Sequence, residues 1–167
     1  MLARLAPIIL RGVRGGWGVF FALVALMALA SVLTPPSKSG DPGAPLFSGA
    51  KIDAGVLSIF ERSCVDCHSE RTHYPWYSYV APVSWLIQSD VNGGREHLNL
   101  SRWGELSVQR RQRSLSEIAN QVKDGDMPLP QYTLIHRNAR LSETDVNAIF
   151  QWTQAERARL IAESSGK

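Results

Sequence analysis

Residues 63–68 read Ser-Cys-Val-Asp-Cys-His, which contains a C-x-x-C-H motif from Cys64 to His68. Two thiols three positions apart, followed at once by an imidazole, form the pattern by which a chain attaches a c-type haem. We expect Cys64 and Cys67 to bond the two vinyl groups of one porphyrin as thioethers. His68 would then lie under the centre of the ring as the proximal iron ligand.

Other uses of a C-x-x-C pair fit the surrounding sequence less well. A thioredoxin-like dithiol follows a strand in a βαβ unit, and nothing near Cys64 has the pattern of a strand. A structural zinc site needs four ligands, usually in two separated pairs, whereas Cys64 and Cys67 are the only two cysteines. Zinc, and a simple disulfide in an oxidising compartment, are kept as secondary interpretations.

The N-terminal segment has the composition of a membrane anchor. Residues 15–33 (GGWGVFFALVALMALASVL) carry no charge, and Arg4, Arg11 and Arg14 precede them. About 20 such residues cross the hydrocarbon core, and arginines mark the cytoplasmic end. We predict a single-pass helix in a bacterial inner membrane, with the N-terminus cytoplasmic and the haem domain periplasmic. A cleaved signal peptide is the alternative, because Ala28-Leu29-Ala30 resembles a cleavage site, although the apolar run exceeds a typical h-region of about 7–15 residues.

Composition divides the chain into four parts. We predict a membrane anchor or signal peptide over residues 1–34, a Pro- and Gly-rich linker over 35–50, a c-type haem-binding domain over 51–162 and a disordered tail over 163–167. The linker is expected to hold the domain away from the membrane, because Pro, Gly and Ser without apolar periodicity are typical of a tether.

Capping residues and helical spacing predict the helices of the domain. One begins at Asp53 and carries the motif at its end; others begin at Ser107 and Ser142, and end at Gly125 and about Ala162. A shorter helix follows Pro82 and is expected to stop at Asn92-Gly93-Gly94. The predicted fold class is all-α.

The distribution of charge argues against nucleic acid as a partner. The chain has 18 Lys and Arg against 15 Asp and Glu, and the excess of three equals the arginines before the apolar run. The folded part is therefore neutral before its cofactor, and haem propionates would make it acidic. A nucleic-acid-binding domain instead carries a basic patch. The sequence identifies no particular redox partner.

The second axial position of the iron largely decides what a haem protein does. Met1 is the initiator and Met27 lies in the apolar run, which leaves Met127 as the methionine available to the domain. Pro128 and Pro130 restrict its loop and so reduce the entropy lost on ligation. We predict Met127 as the distal ligand, since His/Met ligation is common in cytochromes c. The rival ligands are His73, His97 and His136.

With these residues the chain resembles the c-type cytochrome superfamily and, more closely, the bacterial haem-binding domain family. The segments that carry the resemblance are Cys64–His68, Tyr74–Ser78, Pro82–Trp85, Gly94-Arg95, Leu98–Trp103, Gly125–Leu129 and Tyr132. The resemblance implies a cytochrome c-like helical domain around one covalently attached haem c, with His68 proximal and Met127 distal. It implies no particular substrate.

These features favour an electron carrier and not an enzyme. The expected protein is a membrane-anchored monohaem c-type cytochrome that transfers one electron at a time. The alternative is a haem-based gas or redox sensor, or a small haem enzyme, in which the sixth position opens. A structural or assembly module that merely carries haem is a third class.

Overall fold

The computed structural model describes residues 6–35 and 40–165, with side chains from residue 17 onward. The predictions for residues 1–5, 36–39 and 166–167 lie outside this range. Every regular element in the described ranges is a helix, which confirms the all-α class. The α-helices are α1 (Ala6–Leu33), α2 (Ala54–Ser63), α3 (Val65–His68), α4 (Val83–His97), α5 (Val108–Asp124), α6 (Pro130–Ile135) and α7 (Glu143–Ser165), and short 3₁₀ turns span Trp76–Tyr79, Leu100–Glu105 and Arg137–Ala139.

The chain forms two compact units. The first comprises Met1–Lys38 and Tyr74–Ser89, and the second comprises Ser39–His73 and Asp90–Lys167. Helix α4 contributes its first residues to the first unit and the others to the second. Among the residues described with their side chains, no helix is long and apolar enough to cross a membrane.

The core of the second unit is centred on Phe47. Its ring packs edge-on against Phe60, Trp152 and Trp103, with centroids 4.8, 5.0 and 5.1 Å away. Such aromatic pairs add about 0.5–1.5 kcal/mol each beyond the burial of their area. Helix α7 packs against both α5 and α2 around this cluster. Phe47 lies within the predicted linker, so the structure differs here: the end of that segment belongs to the core.

Side-chain caps fix the helix ends, as the sequence predicts. Asp53 begins α2 and Ser107 begins α5, each accepting from the backbone N–H three residues later at 2.9 and 3.2 Å. Gly125 ends α5 in the left-handed conformation, at φ 77°, which glycine adopts without strain. Ser142 and Asp145 bond each other's backbone N–H groups, the reciprocal pattern of a capping box, and begin α7.

Two helices run further than predicted. Helix α4 continues through Asn92-Gly93-Gly94 to His97, so the predicted stop is wrong. Glycine in a helix interior costs about 1 kcal/mol relative to alanine, and close packing at Gly94 offsets that cost. Helix α7 continues to Ser165, so residues 163–165 of the predicted tail are helical.

Candidate functional site

The motif occupies a single helical turn at the end of α2. Cys64 ends α2 and begins α3. Its carbonyl oxygen accepts from the N–H of His68 at 3.0 Å and from the N–H of Cys67 at 3.3 Å. All three side chains are half-buried. The structure thus brings the two predicted thioether residues and the predicted proximal ligand together.

His68 is held with one particular ring nitrogen facing the protein. Its Nδ1 lies 3.0 Å from the carbonyl oxygen of Leu98. A carbonyl can only accept, so Nδ1 carries the proton and Nε2 keeps its lone pair, the form that ligates a metal. Burial lowers the pKa of His68, and hydrogen bonding to the backbone of Leu98 and Gly94 opposes this only in part. The imidazole is therefore neutral and oriented at neutral pH.

The surroundings of the two thiols differ from those of a reactive redox pair. Burial raises the pKa of Cys64 to about 12, and burial with the nearby charges of Asp66 and Asp90 raises that of Cys67 to about 11. Catalytic C-x-x-C motifs instead hold a thiolate by lowering the pKa of one cysteine. Both cysteines are free thiols in the structure, not joined by a disulfide.

The second half of α4 packs directly on the motif. A Cβ at Gly94 would lie 2.6 Å from the carbonyl oxygen of Cys67, a distance that side chains do not tolerate. Next to it, Arg95 donates from Nε to the carbonyl oxygen of Ser69 at 2.8 Å and from Nη2 to Thr72 Oγ1 at 2.9 Å. The close approach of α4 therefore fixes the turn and the chain that leaves it.

Asp66, between the two cysteines, connects the motif to the segment after Met127. Its Oδ2 accepts from the hydroxyl of Tyr132 at 2.7 Å, and its Oδ1 accepts from the backbone N–H of His73 at 2.9 Å. Tyr132 lies in α6, five residues after Met127. The half-buried Met127 sits in the turn after α5, where its N–H donates to the carbonyl oxygen of Gln121 at 3.2 Å.

Comparison with known protein families identifies the kind of cofactor that the chain binds. The profile of the haem-binding domain family matches residues 24–155, most of the chain. The chain belongs to the haem-binding domain family. No curated protein and no solved structure matches it. The family predicted from the sequence is thereby confirmed, and the chain is a haem-binding protein.

The donor groups of this haem-binding domain fit haem. The motif turn offers one imidazole with an unprotonated Nε2 and two cysteines that are not joined to each other, so both sulfur atoms are available to bond a porphyrin. In the described residues no group of three or more His, Cys, Asp or Glu could hold a bare metal ion.

The three histidines that are alternatives to Met127 as the distal ligand lie in different environments. His97 is exposed, and its backbone carbonyl oxygen accepts from Arg110 Nη2 at 2.9 Å. His73 is exposed. His136 stacks on Tyr132 with ring centroids 4.3 Å apart.

Several positioning contacts of the haem-binding domain were not predicted individually. Gly94, Arg95, Leu98 and Tyr132 all belong to the segments that carry the family resemblance. The sequence shows that they occur, but not that Leu98 fixes the imidazole or that Tyr132 reaches Asp66. Both contacts join residues more than 25 positions apart, which no local pattern encodes.

A broad groove of about 1130 Å³ lies between α2 and α7, and none of the residues of the motif turn lines it. Asp53, Arg62, Asp145 and Trp152 contribute to its walls. The groove contains none of the predicted haem ligands.

Proposed function

We propose that the chain is a monohaem c-type cytochrome that carries single electrons. Haem c would be bound covalently by Cys64 and Cys67 and ligated by His68 and Met127. The observation that supports this most directly is the hydrogen bond from His68 Nδ1 to Leu98, because it presents Nε2 from the same turn that carries both thiols.

Each residue has a defined role in this proposal. Bound haem supplies an iron that accepts and returns one electron. Cys64 and Cys67 hold the cofactor, and the Leu98 carbonyl keeps the proton on Nδ1 of His68. Asp66 and Tyr132 keep the segment that carries Met127 near the turn. A thioether opposite the imidazole would raise the reduction potential relative to two histidines.

We further propose that residues 1–34 anchor the protein in a bacterial inner membrane, with the haem domain in the periplasm. The support is the uncharged run of residues 15–33 and the three arginines before it. The redox partner would then meet the domain at the membrane surface. Mass measurement of the mature protein distinguishes a retained anchor from a cleaved signal peptide.

Covalent attachment is tested by expressing the chain with and without a haem-attachment system. The proposal expects haem that stays on the chain through denaturing electrophoresis and adds the mass of one haem. Cys64→Ser and Cys67→Ser together should abolish this, while each single change should leave one thioether. Loss of the haem from the wild-type band on denaturation would exclude a c-type haem.

Met127 is tested by the sulfur-to-iron charge-transfer band of the oxidised protein. Met127→Ala should abolish the band and leave the covalent haem in place. Met27→Ala, in the apolar run, is the matched control and should leave the band unchanged. A spectrum that Met127→Ala does not alter would assign the sixth position to a histidine.

One observation favours the alternative, a sensor or small haem enzyme with an openable sixth position. All six residues of α6, every one of them described, are at least partly exposed, and Leu134 and Ile135 are largely exposed. A lightly packed element opens at low free-energy cost. Rapid carbon monoxide binding to the reduced wild type would favour this function, whereas reversible reduction without ligand binding would favour the carrier.

A further inference from the structure

We infer that residues 74–89 bind the lipid surface beside the end of α1, an inference that rests on the proposed membrane attachment. This stretch holds the 3₁₀ turn Trp76–Tyr79 and the start of α4, and belongs with α1 to the first unit.

Hydrogen bonds join this stretch to the C-terminal end of α1. The N–H of Ala81 donates to Ser31 Oγ, and Nε1 of Trp85 donates to Thr34 Oγ1, each at 2.9 Å. Both hydroxyls also donate back to carbonyl oxygens one turn earlier in α1, at 2.7 and 2.8 Å. These bonds therefore hold residues 74–89 next to the C-terminal end of α1.

The polarity of residues 74–89 is inverted relative to a water-facing surface. Ser78 and Ser84 are buried, at 0% and 2% exposure, whereas Trp76 is 77% exposed. The other large apolar side chains on the outside are Tyr79, Val80, Val83, Trp85 and Leu86. Between His73 and Asp90 the sequence has no Asp, Glu, Lys or Arg. Apolar groups outside and hydroxyls inside indicate an apolar medium.

Continuity with α1 identifies that medium as lipid. Residues 17–33 of α1 are also uncharged and expose large apolar side chains along their length, among them Trp17, Phe21 and Leu33. A protein partner would have to cover both elements, whereas a bilayer covers them together. Indole and phenol rings join an apolar body to a polar tip and concentrate at membrane interfaces.

Photo-crosslinking of the full-length, haem-loaded protein tests the inference. A benzophenone amino acid replaces Trp76, Phe21 or Leu134 in separate variants, each reconstituted into vesicles of phosphatidylethanolamine and phosphatidylglycerol. Leu134 is the matched control, because it is 69% exposed but lies in the second unit. We expect lipid adducts at Phe21 and Trp76, at least about tenfold above Leu134. Tyr79 provides a second position in the same segment if the Trp76 variant does not retain covalent haem.

The outcomes separate this inference from the proposed anchor. Lipid adducts at Phe21 with none at Trp76 or Tyr79 would overturn the inference and leave the anchor intact. Adducts between two protein chains at Trp76 would also overturn it, because the surface would then be an interface between copies. Lipid adducts at Trp76 without any at Phe21 would overturn the anchor and the inference that rests on it, because residues 74–89 would then bind lipid without α1 in the bilayer beside them. Absence of lipid adducts at every position would overturn both.

Discussion

Two adjacent glycines in α4 have opposite surroundings. A Cβ at Gly94 would meet the backbone of Cys67, with the carbonyl oxygen at 2.6 Å and the carbonyl carbon at 3.0 Å. A Cβ at Gly93 would meet no atom within 4 Å. Gly94 is therefore required by the contact between α4 and the motif turn, whereas Gly93 only lowers the helix propensity of α4.

Gly94→Ala should destabilise the protein and reduce haem attachment, because backbone atoms must move to admit the methyl group. We expect a loss of about 1–3 kcal/mol in the free energy of unfolding, typical of overpacking. Gly93→Ala, the matched control, should stabilise by up to about 1 kcal/mol. Urea unfolding and the yield of covalent haem provide the measurements. Equal effects of the two substitutions would contradict the close approach of α4.

The hydroxyl of Tyr132 has a different role, since it bonds the Asp66 carboxylate from the segment that carries Met127. A hydrogen bond to a charged group contributes about 1.5–3 kcal/mol. Part of that free energy would hold the Met127 side of the haem closed.

Tyr132→Phe should therefore weaken the proposed bond between Met127 and the iron, and leave the proposed covalent attachment of the haem in place. We expect imidazole to bind the oxidised protein about tenfold more tightly, as about 1.4 kcal/mol of lost closure implies, with a weaker sulfur-to-iron band. Tyr79→Phe alters an exposed tyrosine of the first unit and should change neither quantity. An imidazole affinity that Tyr132→Phe leaves at the wild-type value would show that the contact does not restrain Met127.

The helix boundaries that the sequence predicts correctly are those that nearby residues determine. The starts of α2, α5 and α7 follow from caps within three residues, and the end of α5 follows from one glycine. The course of α4 through two glycines and the burial of Phe47 depend on residues far away in sequence. Local composition indicated a helix stop and a linker at these positions, and tertiary packing overrode both.

The start of α7 also positions the helix that carries the motif. Asp145 accepts from the N–H and hydroxyl of Ser142, at 2.8 and 2.7 Å, and pairs with Arg62 of α2 at 2.6 Å. Arg62 also donates to the carbonyl oxygens of Asn138 and Arg140. The partial burial of Asp145 favours a higher pKa, but the bonds from Ser142 and Arg62 outweigh it, so the pKa is lowered.

Asp145→Asn should lower the free energy of unfolding by about 1–2 kcal/mol at pH 7, since it weakens a cap and an ion pair. Because the folded-state pKa is depressed, the contribution of the carboxylate is complete above the unfolded value of about 3.9 and is lost as pH falls through the folded value. The difference in free energy of unfolding between wild type and variant should thus decrease below about pH 4. Urea unfolding from pH 7 to pH 3 measures this difference.

Glu143→Gln is the matched control for this titration. Glu143 is an exposed carboxylate in the same first turn of α7 and shares the helix dipole, which is worth about 0.3–1 kcal/mol. Its substitution should cost less at pH 7 than that of Asp145. If the difference in free energy of unfolding between wild type and Asp145→Asn stays constant down to pH 3, the pKa of Asp145 is not lowered.

Across the whole molecule, two long uncharged stretches lie in the first unit. From residue 17 to 35 and from 74 to 89 the first unit is uncharged, and the second unit carries both signs. The sequence shows each uncharged stretch but not that the two stretches meet, because about 40 residues separate them. In the structure, hydrogen bonds from Ala81 and Trp85 join them. The C-x-x-C-H motif is recognisable in the sequence because it lies within five consecutive residues.

The three arginines near the N-terminus, two of which lie within α1, should set the orientation of the chain. Arg4, Arg11 and Arg14 precede the apolar run, and positive charge near the end of a membrane segment keeps that end in the cytoplasm. Replacing all three with serine should lower the fraction of chains whose haem domain reaches the periplasm, and with it the yield of covalent haem. Protease accessibility in spheroplasts measures the fraction of chains in each orientation, and haem staining measures the yield of covalent haem.

The control variant carries Arg113→Ser and Arg137→Ser, both at exposed positions of the second unit, and should change neither the orientation nor the haem yield. An orientation and a haem yield that stay at the wild-type values in the triple variant would mean that these arginines do not direct insertion.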